Sequence, residues 1–184
     1  MSVSTIIVTY NRREDLLRCI EAVLAQTVPP DYLLIVNNAS TDDTEEFLYQ
    51  KYGEPSLKKK VGEEVVSLLC EYGKIPIYLI NKITNTGGAG GFHTGLKVAH
   101  EYFVTDYYWM MDDDGFPATE CLEQLIPYLK QCDYVMPVSI DIENKQNLSW
   151  PVRIRSGKKT LSYQIMKDSW GKIMNYIFPF NGSL

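Results

Sequence analysis

An alternation of short apolar runs with helix-like segments is the feature that most constrains the fold of this chain. Apolar and β-branched residues cluster at five points, and between these points apolar residues recur at helical spacing. The order β-α-β-α-β-α-β-α-β is typical of a mostly parallel sheet flanked by helices, so the sequence predicts an α/β fold. The predicted strands are residues 3–10, 32–36, 77–80, 107–111 and 134–138.

Four helices are predicted between and around these strands. The first carries Leu16, Ile20 and Val23 at helical spacing, and the third spans residues 91–104. The second is predicted to begin after N-cap candidates, and the fourth begins at Thr119 with an inward apolar face. The N-cap candidates are Ser40, Thr41 and Asp42, and the inward residues of the fourth helix are Leu122, Leu125, Ile126 and Leu129.

Two parts of the chain depart from this rhythm. Residues 53–74 are rich in Lys and Glu, and we interpret them as an insertion in which residues 61–69 form a short helix outside the sheet. Beyond Ile140 the sequence is polar, aromatic and irregular, with a predicted hairpin at residues 149–159 and a predicted helix at residues 164–177.

Composition narrows the function classes. With 184 residues, 45% of them hydrophobic, the chain is long enough for one substantial core. The net charge of −5 and the scattered basic residues exclude nucleic acid as a partner. Widely spaced cysteines and the lack of any apolar run of roughly 18 residues favour a soluble, cytoplasmic protein with reduced thiols.

Three consecutive aspartates end the fourth predicted strand. Asp112, Asp113 and Asp114 follow the apolar run YYWMM directly, and adjacent carboxylates repel one another. A divalent ion that prefers oxygen ligands, Mn²⁺ or Mg²⁺, would offset this repulsion. Because alternate side chains of an extended chain point the same way, Asp112 and Asp114 can share one ion while Asp113 faces elsewhere. The alternative is a solvated acidic turn, which seldom follows an apolar run so closely.

A glycine-rich turn joins the third strand to the third helix. Glycine lets backbone approach a ligand closely, and helix N-termini attract phosphate, although a structural turn explains the segment equally well. The spacing of GGAGGF differs from the GxGxxG of dinucleotide-binding folds, so we do not interpret it as a nicotinamide site.

The first two strands also end in polar residues. An asparagine amide both donates and accepts hydrogen bonds, so Asn37 and Asn38 suit the recognition of a base or ribose, with an ordinary turn as the alternative. Arg12 or Arg13 could pair with a diphosphate, with a solvent-facing helix start as the alternative. His93 and His100 are two helical turns apart, too far to share a metal, and are expected on the surface.

The segments IIVTYN, IVNNASTDDT, NTGGAGGFHTG and WMMDDDG, in this order, resemble the motifs of nucleotide-sugar glycosyltransferases of GT-A fold, family two, over residues 4–140. The triplet with AGGF most resembles the branch that includes galactofuranosyl- and rhamnosyltransferases. This resemblance implies a GT-A (Rossmann-like) fold. It also implies an inverting, metal-dependent transfer from a UDP- or dTDP-type sugar donor to a saccharide or lipid-linked saccharide, as in cell wall polysaccharide biosynthesis.

The resemblance also implies roles for individual residues. Asp112 and Asp114 match the DxD pair that places Mn²⁺ or Mg²⁺ on the donor diphosphate, with Asp113 between them in the catalytic triplet. The nucleoside and its phosphates would contact Thr9, Tyr10, Asn11, Arg12, Asn37 and Asn38. The ribose, diphosphate and donor sugar would be bordered by Asn85, Gly87, Ala89, Gly90 and Gly91. Residues 1–140 would form this core and residues 141–184 the start of an acceptor-side region. Lipid-linked acceptors would bring peripheral contact with the inner face of the membrane.

Two departures from the family pattern stand out. Asn37 occupies a position where many relatives carry Asp, and the family's general base usually follows a motif like FPFNGSL, with which this chain ends at Leu184. We therefore expect the base to lie outside these residues and do not assign the role to Asp141 or Glu143.

Three alternatives remain. A nucleotide-sugar-binding module or inactive remnant would keep the same motifs without a base. A haloacid-dehalogenase-like phosphatase would use the Asp112 to Gly115 run as its nucleophile motif, but that motif belongs to the first strand of its domain. A sugar nucleotidylyltransferase would need an N-terminal glycine-rich loop, which the sequence does not show.

Overall fold

The structure, a computed structural model, describes residues 1–153, 159–162 and 164. The chain divides into two compact units, Met1–Pro127 and Tyr128–Leu184. One six-stranded sheet runs through the first unit. Its strands are β1 (Val3–Thr9), β2 (Tyr32–Asn37), β3 (Leu57–Val61), β4 (Glu64–Tyr72), β5 (Ile75–Asn81) and β6 (Tyr107–Asp112), arranged in the order β3-β4-β5-β2-β1-β6.

Four of these strands are parallel and end at the same edge of the sheet. β1 pairs with β2 and with β6, and β2 pairs with β5, all in parallel. The register places Thr9 opposite Asn37 and Asn37 opposite Asn81. The predicted mostly parallel α/β sheet is therefore confirmed, and the polar strand ends meet at its carboxyl edge.

Helices cover both faces of the parallel strands. The helices of the first unit are α1 (Arg13–Leu24), α2 (Thr44–Tyr52), α3 (Gly87–Tyr102) and α4 (Cys121–Leu125), the last continued by a 3₁₀ turn at Ile126–Lys130. On one face α1 buries Leu16 and Ile20 against Ile7. On the other face α3 buries Val98 against Ile6. Burial on both faces explains why these strands are continuously apolar.

Two glycines let α3 lie close to β1. A Cβ on Gly91 would lie 2.5 Å from Cγ1 of Val8, and one on Gly95 would lie 2.5 Å from Cγ2 of Ile6. Real Cβ atoms do not approach other carbons so closely, so any larger residue would push the helix away from the strand. Part of the glycine-rich segment therefore serves helix-to-sheet packing.

The interpretation of residues 53–74 as an insertion containing a helix is wrong. This segment forms the β3–β4 hairpin, which pairs antiparallel with β5 and extends the sheet. Gly62, with φ of 60°, supports the two-residue turn between Val61 and Glu64. The apolar residues of this segment recur at helix-like intervals because Val61 ends one strand while Val66 and Leu69 lie in the next and pack into different sides of the core.

The fifth predicted strand, at residues 134–138, is also wrong. Within the described part of the chain these residues form no strand, and the Tyr134 side chain is 67% exposed. Pro137 lacks the N–H that a ladder needs, and strand propensity alone does not supply a partner strand. The fourth helix is shorter than predicted: only Leu122 of its expected inward face is fully buried.

The second unit contains an antiparallel pair, β7 (Asn147–Arg153) and β8 (Lys159–Ser162). The predicted hairpin at residues 149–159 is confirmed as an antiparallel pair, although its second strand lies further along the chain than predicted, and residues 154–158 between the strands lie outside the described residues. The predicted helix over residues 164–177 also lies outside them beyond Gln164. No helix in the described part of the chain is both long enough and apolar enough to cross a bilayer.

Candidate functional site

Polar side chains from four parallel strands meet at the carboxyl edge of the sheet. They are Thr9 on β1, Asn37 on β2, Asn81 on β5 and Asp112 on β6. Asn81 is not among the site residues predicted from the sequence. It follows an apolar run as Asn37 does, so the same pattern could have identified it. In parallel sheets, ligands bind in the crevice beyond this edge.

Asn37 is held by its neighbours on both sides. Its Nδ2 donates to Oδ1 of Asn81 at 3.0 Å, and its Oδ1 accepts from the backbone N–H of Ser40 at 3.1 Å. Nδ2 of Asn81 in turn lies 3.5 Å from the hydroxyl of Tyr49. Asn37 therefore fixes the loop after β2, and because only 4% of it is exposed, it presents little surface to a ligand.

Asn38 fastens the glycine-rich turn to β2. Its Nδ2 donates to Oδ1 of Asn85 at 2.9 Å and to the carbonyl of Gly87 at 3.1 Å. Its Oδ1 accepts from the backbone N–H of Thr86 at 3.2 Å. Only 2% of Asn38 is exposed, so it acts from beneath the turn.

The turn itself presents backbone to solvent. Gly87, with φ of 70°, opens α3, and Gly87, Gly88 and Ala89 are exposed, whereas Gly90 is half-buried and Gly91 is buried. The first helical turn contains no acidic residue. The N–H of Gly87 donates to Oδ1 of Asn85 at 2.8 Å, and the next N–H groups of a first helical turn have no partner within the helix. Together with the positive end of the helix dipole, they favour an anion.

Asn11 joins the loop after β1 to the loop after β2. Its φ is 55°, a left-handed conformation that asparagine tolerates. Its Oδ1 accepts from the backbone N–H of Thr41 at 2.7 Å, and its own N–H donates to Oγ of Ser40 at 3.0 Å. The predicted N-cap at Ser40 to Asp42 is wrong, because these residues build the loop and α2 begins only after Asp43.

The three aspartates occupy different environments. Asp113 is buried, with 5% of its surface exposed, and its Oδ2 accepts from Oγ1 of Thr9 at 2.7 Å. The backbone N–H of Tyr10 lies 3.4 Å from the same oxygen. Asp112 and Asp114 are exposed at the edge. Asp113 thus ties β6 to β1, and its two neighbours remain accessible.

Arg12 is the cation of this cluster. Its Nη1 lies 2.5 Å from Oδ2 of Asp114 and 4.0 Å from Oδ1 of Asp113. The hydrogen bond and charge of Asp114 raise the pKa of Arg12. Desolvation, followed by the charges of Asp114 and Asp113, raises the pKa of Asp112. Desolvation also raises the pKa of Asp113, against the opposing effects of Thr9, Tyr10 and Arg12. One arginine therefore does not neutralise the triplet.

Asp112 and Asp114 are the residues that could hold a metal ion. Across the described residues, no three His, Cys, Asp or Glu side chains converge to form a complete metal cage. Two exposed carboxylates still fit a hard cation, since Mg²⁺ is commonly held by one or two carboxylates together with substrate phosphates and water.

Other reactive side chains lie away from this edge or are inert. His93 and His100 are exposed on α3, as predicted. Cys19 is buried with its Sγ 3.7 Å from the Asp112 carbonyl, and desolvation raises the pKa of its thiol to about 12. It therefore stays protonated and serves packing.

The comparison with curated proteins finds glycosyltransferases. Galactofuranosyltransferase GlfT1 of Mycolicibacterium smegmatis is 28% identical over 170 residues, covering 91% of this chain and 49% of that protein. Uncharacterized glycosyltransferase YwdF of Bacillus subtilis is 27% identical over 169 residues, covering 91% of this chain and 53% of that protein. The chain thus spans about half the length of these relatives.

Solved structures share the fold. The crystal structure of S. aureus TarS 1-349 aligns with a TM-score of 0.55 and 17% identity over 91% of this chain and 49% of that chain. Its complex with UDP-GlcNAc aligns with a TM-score of 0.56 and 16% identity, over 91% of this chain and 47% of that one. The family model described as Glycosyl transferase family 2 matches residues 4–182. With its mostly parallel sheet flanked by helices, the chain belongs to glycosyl transferase family 2 and has the GT-A fold.

Proposed function

We propose that the carboxyl edge of the sheet binds a nucleoside diphosphate sugar of UDP or dTDP type together with Mn²⁺ or Mg²⁺. The observation that carries this proposal is the meeting of Asp112 and Asp114, both exposed, with the anion-attracting start of α3 at one edge. The complexes of TarS with UDP and with UDP-GlcNAc support a donor of this class.

The nucleoside is assigned to the loops after β1 and β2. The Tyr10 side chain, 44% exposed, offers a ring on which a base can stack. Asn11 and the Ser40–Thr41 backbone it holds shape the adjacent wall. We assign a supporting role beneath these loops to the three buried side chains of Thr9, Asn37 and Asn38, because each already makes hydrogen bonds within the chain.

The diphosphate is assigned to the space between the glycine turn and the acidic triplet. Exposed backbone at Gly87 to Ala89 can approach phosphate oxygens without side chains in the way, and Asn85 borders the same turn. Asp112 and Asp114 would hold the divalent ion. When bound, this ion supplies the positive charge that stabilises a departing nucleoside diphosphate.

The transfer reaction proposed for the whole protein is an inverting displacement by a hydroxyl of a saccharide or lipid-linked saccharide. The name of the mycobacterial relative, galactofuranosyltransferase, supports a sugar-transfer role. No described residue is assigned as the general base. The Asp141 carboxylate, for example, accepts backbone hydrogen bonds from Glu143 at 2.8 Å and Asn144 at 3.0 Å, as in an ordinary Asx turn.

Calorimetric titration tests donor binding. We expect UDP or dTDP to bind with Mn²⁺ present, GDP to bind more weakly, and Asp112→Asn/Asp114→Asn to lose the metal-dependent part. Glu63→Gln/Glu71→Gln, which removes two exposed carboxylates from the β3–β4 hairpin, is the matched control and should bind as the original protein does. Binding that needs no metal and survives the first pair of substitutions would contradict the proposal.

The transfer step needs a separate measurement. Release of the nucleoside diphosphate from UDP- and dTDP-sugars is followed with saccharide acceptors, and the anomeric configuration of the product is read by NMR. Inversion requires the product linkage to have the opposite configuration to the donor. Retained configuration would contradict the displacement mechanism while leaving the donor site intact.

A further inference from the structure

Arg12 already occupies one of the two carboxylates assigned to the metal. Its Nη1 is 2.5 Å from Oδ2 of Asp114, which is hydrogen-bonding distance for a charged pair. Among the residues that the structure describes, no other cationic side chain lies within 4.0 Å of the triplet's carboxylates. A guanidinium and a divalent ion cannot both take the same oxygen at full strength, because like charges repel.

The side chains of Arg12 and Asp114 are less constrained than that of Asp113. The side chains of Arg12 and Asp114 are 51% and 55% exposed, so separating them exposes no buried charge. Asp113 is instead held by Thr9 and the Tyr10 backbone. The Arg12–Asp114 pair is therefore the part of the cluster that can open without disturbing the link between β1 and β6.

We propose that Arg12 competes with the divalent ion for Asp114 and is released by the donor's diphosphate, so that metal and nucleotide bind cooperatively. This inference rests on the proposed function. Without nucleotide, a metal ion must displace Arg12 from Asp114, and the guanidinium then keeps only the more distant Asp113 carboxylate, at 4.0 Å, which Thr9 already occupies. With a diphosphate present, the metal takes Asp114 and the guanidinium takes a phosphate oxygen, so each charge keeps a partner.

Linkage makes the idea quantitative. If UDP tightens Mn²⁺ binding by some factor, Mn²⁺ must tighten UDP binding by the same factor. Removing the guanidinium should have opposite effects on two binding steps. Mn²⁺ should bind the nucleotide-free protein more tightly, because its competitor is gone. UDP should bind the Mn²⁺-loaded protein more weakly, because a phosphate partner is gone. A residue with a merely structural role would not produce this reversal of sign.

Manganese titrations followed by electron paramagnetic resonance, which detects free Mn²⁺, test the proposal without any need for turnover. The proteins compared are the original chain, Arg12→Ala and Arg18→Ala, each with and without UDP. Arg18 lies on α1, pairs with Asp15 at 3.4 Å and lies 4.2 Å from the centre of the Phe116 ring, so its substitution removes the same charge while leaving the Arg12–Asp114 ion pair in place. Circular dichroism checks that all three are folded.

We expect Arg12→Ala to bind Mn²⁺ alone about fivefold more tightly and to lose about fivefold or more of the enhancement by UDP. Arg18→Ala should match the original protein, and in an Asp114→Asn background Arg12→Ala should change little. Equal Mn²⁺ affinities for the original protein and Arg12→Ala, with UDP enhancement intact, would overturn the competition and leave the donor site standing. Failure of all variants to bind Mn²⁺, even with UDP, would overturn the metal assignment as well.

Discussion

The hydroxyl of Thr9 donates a hydrogen bond of 2.7 Å to Oδ2 of Asp113, joining two residues 104 positions apart. This bond connects the end of β1 to the turn after β6. It satisfies a carboxylate that is almost fully buried and holds in place the two exposed aspartates on either side. The geometry of the proposed metal site therefore depends on a residue from another strand.

Replacing Thr9 with Val should destabilise the fold. The substitution keeps the shape but leaves the buried Asp113 carboxylate with only the longer hydrogen bond from the Tyr10 N–H, at 3.4 Å, and should lower the free energy of unfolding by about 1 to 3 kcal/mol. Urea denaturation measures it. Thr5 is the matched control, because it is buried on the same strand and its Oγ1 finds no hydrogen-bond partner among the described residues. Thr5→Val should be neutral or stabilising, and equal losses for both variants would contradict the role given to Thr9.

Removing the charge of Asp112 should stabilise the metal-free protein at neutral pH. Desolvation and the neighbouring aspartates raise its pKa above the ordinary value of 3.8. The folded state thus binds this proton more tightly than the unfolded state, so the group's contribution to stability falls as pH rises from 3.8 through the raised pKa. The Asp112→Asn variant should be more stable than the original protein at neutral pH, and the difference should be small below pH 3.8.

Denaturation curves at both pH values check this sign. Addition of Mg²⁺ should narrow the gap at neutral pH, because the metal stabilises only the chain that retains both carboxylates. A variant that is less stable than the original protein at neutral pH without metal would show that the Asp112 charge is favourable in the fold.

Replacing the glycines of α3 with alanine should change the stability of the fold by an amount that depends on the position. Gly91→Ala and Gly95→Ala place a methyl group 2.5 Å from Val8 and Ile6, respectively, and should cost about 1 to 3 kcal/mol through overpacking. At Gly88, apart from its chain neighbours and the backbone of its own helix, no heavy atom of the described residues lies within 4 Å of the Cβ position. Gly88→Ala should therefore raise the melting temperature or leave it unchanged, since alanine favours a helix. Similar melting temperatures for all three variants would contradict the close packing.

Much of this architecture could be predicted from local pattern. The parallel strands are apolar throughout because helices cover both faces, and each ends in a polar residue, so the edge that carries Thr9, Asn37 and Asp112 could be inferred directly. The β3–β4 hairpin could not, because a two-residue turn and burial on both sides of β4 place apolar residues at helix-like intervals. The strand predicted at residues 134–138 is wrong for the opposite reason: these residues have strand propensity but no partner strand among the described residues.

The hydrogen bonds between side chains at the site could not be predicted from the sequence. The bonds from Thr9 to Asp113 and from Arg12 to Asp114 join residues more than a hundred positions apart, so no spacing rule could indicate them. Asn38 illustrates a second limit. Its amide was expected to face a ligand, and the structure instead places it under the turn that begins α3.

Hydrogen–deuterium exchange with UDP and Mn²⁺ added together tests most directly where the donor binds. Bound nucleotide should slow exchange in residues 9–13, 85–91 and 112–115, which border the carboxyl edge, and should leave the β3–β4 hairpin unchanged. The Asp112→Asn/Asp114→Asn variant should show far less protection. Protection confined to the hairpin or the second unit, or equal protection in the double variant, would contradict the assignment of the donor site to this edge.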